Sequence, residues 1–182
     1  TGELLSAPVN SVRIGSAADD VLSEICDVPS DENSVIVVGA TKGDVNGVQS
    51  TGDWDTIPDD SLMWFAKKID LNSLTETWTI QGGAIVPGGD SPTSTYAVAC
   101  AVAGDNFYVG GTVENGASML DHGVEKVAMG GNDVWVTKLS LADGTITWMN
   151  QFGSVGDDQL ARHGGLAVNK DGDAIVFGDT TG

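Results

Sequence analysis

Basic residues are scarce in this chain: Lys and Arg number 8 against 26 Asp and Glu, a formal charge of -18 over 182 residues. The clustered cations that neutralise phosphate are missing, which excludes a nucleic-acid backbone binder and argues against docking on an anionic membrane. Long apolar runs are missing too. No stretch reaches the roughly 18 to 20 residues of a membrane helix, so membrane insertion is not expected. Cysteine is limited to Cys26 and Cys100, with no C-x-x-C pair, which excludes a Cys-rich zinc module and a disulfide-dense scaffold. No N-x-[ST] sequon occurs, so glycan sites lend no support to a secretory location. Proline is sparse at 5 residues while glycine reaches 25, a balance that favours tight turns over extended linkers. With 41% hydrophobic and 19% charged residues the chain is too apolar to be disordered and should form one folded unit with a real core.

What is present is a repeat. Phe65-Ala-Lys-Lys68-Ile69 through Trp78 to Gln81-Gly-Gly83 lies over Trp135-Val-Thr-Lys138-Leu139 through Trp148 to Gln151-Phe-Gly153, without a gap, at an offset of 70 residues. Gly104-Asp-Asn-Phe-Tyr-Val-Gly-Gly-Thr112 lies over Gly172-Asp-Ala-Ile-Val-Phe-Gly-Asp-Thr180, and Asn33-Ser-Val-Ile-Val-Val-Gly-Ala-Thr41 is a looser copy. Gly15-Ser-Ala-Ala-Asp19-Asp20 echoes Gly153-Ser-Val-Gly-Asp157-Asp158. Within each copy the apolar runs are short, β-branched or aromatic, and bounded by Gly, Asn, Asp or Ser, which is the signature of strands.

The pattern predicts strands near 21–28, 34–41, 63–70 and 75–81, then near 95–102, 106–112, 133–139 and 145–151, with a further pair near 163–169 and 173–179. Residues 9–14 read as the last strand of a preceding set. Four antiparallel strands per repeat is the unit of a β-propeller or β-solenoid, so the expected class is all-β, a β-propeller segment with four-stranded antiparallel blades. The boundaries that follow are 1–15 for the end of one blade, 16–83 and 84–153 for two blades, and 154–182 for the first half of another. A ring of about 4 to 8 blades needs more than this, so the missing blades are expected from more chain or from other subunits.

The run Asp133-Val-Trp-Val-Thr-Lys138-Leu139, followed by Gly144, Trp148, Gly153, Asp157-Asp158, Leu166-Ala-Val168, Asp171-Gly-Asp173 and Phe177-Gly-Asp-Thr180, resembles the seven-bladed β-propeller repeat family often called SBBP. The likeness covers most of the chain and departs at Ile25-Cys-Asp-Val28 and the turn after it. It implies a propeller of the kind found on secreted or surface proteins. It brings no catalytic residue with it, because the repeat is a scaffold pattern and fold does not imply function.

In such a blade the loop between strands two and three shares a face with the inter-blade turns. Here those loops carry Asp44, Asp53, Asp55, Asp59 and Asp60, then Glu114, Asp121, His122 and Glu125, and the turns carry Asp19, Asp20, Asp90, Asp157 and Asp158. Hard cations such as calcium take oxygen ligands of this kind, and Asn169-Lys-Asp171-Gly-Asp173 adds part of a calcium-loop pattern, although its Gly is displaced and no Glu follows at the twelfth position. The expected calcium ligands are therefore Asp19, Asp20, Asp157, Asp158, Asp171 and Asp173. Turn capping by aspartate explains the same residues, the more so where they recur at one blade position. Trp78 and Trp148 recur likewise and are expected to pack between blades; a quinoprotein would use similar tryptophans but needs a central acid, amide and cation set that is not present. Cys26 and Cys100 fall on the first strands of consecutive blades and are expected as two buried free thiols. His122 and His163, the only histidines, stand in no recognisable nucleophile setting.

These readings add up to a non-enzymatic scaffold or interaction segment of a larger secreted or surface protein, possessing calcium as a stabilising ion and other proteins, further copies of itself or carbohydrate as partners. Two rivals stand beside it. One is a propeller-class enzyme, quinoprotein or carbohydrate-active, with catalytic residues outside this segment. The other is an adhesive component whose acidic faces are bridged by cations.

Overall fold

The computed structural model of the chain describes residues 12–45, 61–86, 93–121 and 124–182. Strands β1 (Asp20–Asp27), β2 (Ser34–Thr41), β3 (Met63–Asp70) and β4 (Thr75–Gly82) form one antiparallel sheet in sequential order. The short β5 (Ala84–Ile85) follows, then β6 (Thr95–Ala103), β7 (Asn106–Val113), β8 (Ser118–Asp121), β9 (Val124–Lys126), β10 (Asp133–Ser140) and β11 (Ile146–Phe152). Of these, β6, β7, β10 and β11 make a second sheet with the same order, and β5, β8 and β9 make a small one beside it. Each strand of the two large sheets starts and ends within one residue of its expected position. The chain is all-β with antiparallel sheets, and among the described residues these do not close into a ring or barrel. No described helix is long and apolar enough to cross a membrane.

The turns show why the strands stop where they do. Asp31 accepts the Ser34 hydroxyl at 2.6 Å between β1 and β2, and Asp70 accepts the N–H of Ser73 at 2.8 Å between β3 and β4. Between β10 and β11 the matching left-handed position is held by Gly144 (φ 75°), where the first sheet uses Leu74 (φ 54°). Most residues disfavour that conformation and glycine does not.

The core lies between sheets stacked face to face. Ile36, Val38, Trp64, Ala66 and Trp78 of the first sheet meet Ala97, Phe107, Val109, Trp135, Leu139 and Met149 of the second. The Trp64 and Trp135 rings stand 5.0 Å apart, centre to centre. At roughly 25 cal/mol per Å² and about 200 Å² each, these indoles contribute about 5 kcal/mol apiece before conformational entropy is counted. The alternate residues of the second sheet, Val98, Tyr108, Val134 and Val136, face the other way onto Leu160 and Leu166. Strands β6 and β7 of that sheet are thus mostly buried on both sides, which is why they read as nearly continuous apolar runs.

The last unit departs from expectation. Instead of two whole strands near 163–169 and 173–179, it has β12 (Asp158–Leu160), β13 (Leu166–Val168), β14 (Ala174–Val176) and β15 (Gly178–Thr180). β12 pairs with β15 and β13 with β14, so one hairpin is interrupted by residues 161–165, where His163 (φ 55°) and Gly164 (φ 97°) are left-handed. The expected strand at 9–14 is also corrected in part: residues 12–14 carry no strand, and 9–11 lie outside the described residues.

Candidate functional site

The recurrent Gly-Ser-x-x-Asp-Asp turns open the first and third units. Ser16 donates its N–H to Asp20 at 2.9 Å, and Ser154 donates its N–H to Asp158 at 2.5 Å and its hydroxyl at 2.9 Å. Thr180 and then Ser154 hold the Asp158 carboxyl below the ordinary aspartate range. Both acids are the first residues of their strands and stand opposite a threonine, Thr41 or Thr180, so they lock the entry to each unit.

The other expected ligands are spread out. Asp19 lies 3.5 Å from Lys42, and Asp157 accepts the Asn132 N–H at 3.0 Å. Asp171 pairs with Lys170 at 2.7 Å, and Asp173 accepts from the Asn169 side-chain amide at 2.8 Å within one hairpin. The six expected calcium ligands thus fall at three separate turns and are not gathered at one point. Burial pushes the Glu114 carboxyl up. Asp53, Asp55, Asp59, Asp60, Asp90 and His122 lie outside the described residues, and Asp44 is exposed.

A glutamine on the last strand of each sheet pins the long loop above it. Gln81 accepts the Val45 N–H at 3.1 Å and donates to the Gly43 carbonyl at 2.9 Å. Gln151 accepts the Met119 N–H at 2.8 Å and donates to the Ala117 carbonyl at 2.9 Å. The 70-residue repeat pairs these glutamines, and that pairing was the signal that could have identified them as loop clamps. The remaining donor contact differs between units. Gln81 reaches Met63 Sδ at 3.6 Å, whereas Gln151 reaches Asp133 Oδ2 at 2.7 Å.

The cysteines correct the expectation of free thiols: Cys26 and Cys100 form a disulfide, with Cα atoms 6.1 Å apart. β1 and β6 are neighbouring edge strands of stacked sheets, which brings the two residues within bridging distance. Register across sheets is not encoded in local periodicity. Beside the bridge, Glu24 accepts the Cys100 N–H at 2.8 Å and faces His163 at 4.0 Å. Glu24, Cys26 and Cys100 are the one described group of three potential metal ligands in mutual reach, but the bridge removes both thiolates. It removes both as nucleophiles as well.

An open cleft of about 520 Å³ is lined by Gly104, Asn106, Lys138, Asn169, Lys170 and Asp171. The Lys138 ammonium sits 5.6 Å from the centre of the Tyr108 ring. Its repeat partner Lys68 instead pairs with Asp31 at 3.5 Å. Trp78 packs as expected: its indole N–H donates to the Leu141 carbonyl of the next sheet at 3.1 Å. Trp148 is half-buried against Tyr108.

These arrangements join units and fix loops. No protein-family model and no curated protein matches the chain.

Proposed function

We propose that this chain is a non-enzymatic segment of a β-propeller of the SBBP type, acting as a scaffold or interaction surface in a larger secreted or surface protein. The observation that carries the reading is the state of the last unit. The two large sheets share one strand order and stack face to face, and in the last unit Ile175 on β14 is 58% exposed and Phe177, between β14 and β15, 72%. Their repeat partners in the middle sheet, Phe107 and Val109, are fully buried in the core shared with the first sheet. An apolar face of this kind marks a contact surface, and a further blade or another subunit of the same kind fits it.

The Cys26–Cys100 bridge supports an oxidising compartment, because such bonds persist outside the cytosol. The acidic balance supports a protein partner over nucleic acid.

The test is the intact mass and assembly state of the protein isolated from its source. The expected result is a mass well above 18.7 kDa, or an assembly that Phe177→Glu disrupts. A monodisperse monomer of 18.7 kDa would refute the proposal.

A further inference from the structure

The geometry points to a hard divalent cation, calcium by its oxygen chemistry, held between Asp133 and Asp158 across Gly153. Asp133 is 1% exposed and Asp158 7% exposed. Asp133 Oδ2 is used twice, by the Met129 N–H at 2.8 Å and by Gln151 at 2.7 Å. Its Oδ1 is buried with no hydrogen-bond partner. That orphan oxygen points at Gly153, where an added β-carbon would collide with it and would also stand 2.9 Å from Asp158 Oδ2. The two carboxylates therefore converge on one point that only a glycine leaves open. No ammonium or guanidinium among the described residues pairs with either.

Two like charges facing each other at low exposure are unfavourable unless a proton or a cation stands between them. Carboxylate oxygens, completed by water, are the ligands calcium selects.

The site is particular to one unit. Position 133 corresponds to Met63 in the first sheet, where the same glutamine contact is made to sulfur. The loop clamp therefore does not require an acid here, and the acid serves something else. This inference is local and does not depend on the propeller reading.

The test uses the whole 182-residue chain. After chelation, calcium is added while melting temperature and heat of binding are followed. The expected result is one ion per chain with a Kd of about 10⁻⁵ to 10⁻³ M and a melting temperature that rises with calcium. Asp133→Met, which installs the residue of the first sheet, and Asp133→Asn should both remove that response. Asp171→Asn, at an exposed hairpin, should retain it. Absence of calcium binding to the unaltered chain at millimolar concentration would overturn the inference even if neither Asp133 variant folds. So would an undiminished response in either variant.

Discussion

Removing the disulfide should be the most damaging small change to this protein. Cys26 and Cys100 are 74 residues apart in sequence, and the bridge closes a loop holding the whole first sheet beyond β1. In the chain-entropy model, closing 74 residues lowers the entropy of the unfolded state by an amount equivalent to about 4.4 kcal/mol at 25 °C. Domains of this size have roughly 5 to 15 kcal/mol in total, so this is a large part of their stability. The perturbation is Cys26→Ala with Cys100→Ala, measured by urea denaturation and calorimetry beside the oxidised parent. With m about 2 kcal/mol/M, the midpoint should fall by about 2 M. At about 2.1 cal/mol/K per residue, the melting temperature should fall by about 11 °C. Before that, the denatured but unreduced parent should take no alkylating label on either cysteine. Labelling of both thiols, or a midpoint shift of less than about 0.3 M, would refute the reasoning.

Gln151→Leu should cost about 1 to 3 kcal/mol by leaving the Met119 N–H and Ala117 carbonyl unpaired, and limited proteolysis should then cut near that loop. Gly144→Ala should cost about 1 to 3 kcal/mol, since the residue is left-handed and its new carbon would lie 3.0 Å from the Trp78 ring. A red shift of tryptophan emission would report the displaced indole, whereas Leu74→Gly should be neutral or stabilising in the same assay. The turn carboxyls are held below the ordinary value of 3.8: Asp31 chiefly by the Ser34 hydroxyl, Asp70 by the Ser73 N–H and Asp143 by the Thr145 N–H. A depressed folded value means that these groups stabilise above the unfolded value and stop doing so as pH falls through the folded one. The urea midpoint in chelator should therefore be flat down to about pH 5 and decline below about pH 4, and replacing all three with Asn should flatten the decline.

The strands of the two large sheets were legible because each is a short apolar run ended by a turn aspartate or glycine, and because the repeat gave each run a second reading. Trp78 was legible for the same reason. What periodicity carries is local, and everything that depended on how one sheet sits on another was lost. The Cys26–Cys100 bridge is the clearest case: bulges at Leu22/Glu24 and Ala97/Ala99 shift each strand against its neighbour by a residue, and only the stacked sheets show which side chains then meet. The break at residues 161–165 was missed because Leu166-Ala-Val168 looks like the tail of one long strand, while the left-handed His163 gives no compositional sign. The strands β5, β8 and β9 were missed because their 2, 4 and 3 residues are too few to show a period. Asp133 was read only as the opening residue of the Asp133–Leu139 run, because the unpartnered state of its Oδ1 is a matter of three-dimensional placement.

The bridge also determines how the chain carries load. A pull between a point before Cys26 and a point after Cys100 passes through sulfur and bypasses the 74-residue loop. At roughly 3.3 to 3.6 Å per extended residue, about 250 Å of chain is withheld from stretching until the bond is reduced. Under tension the first sheet is thus a shielded reserve of length, while the last unit, outside the loop, is free to extend first.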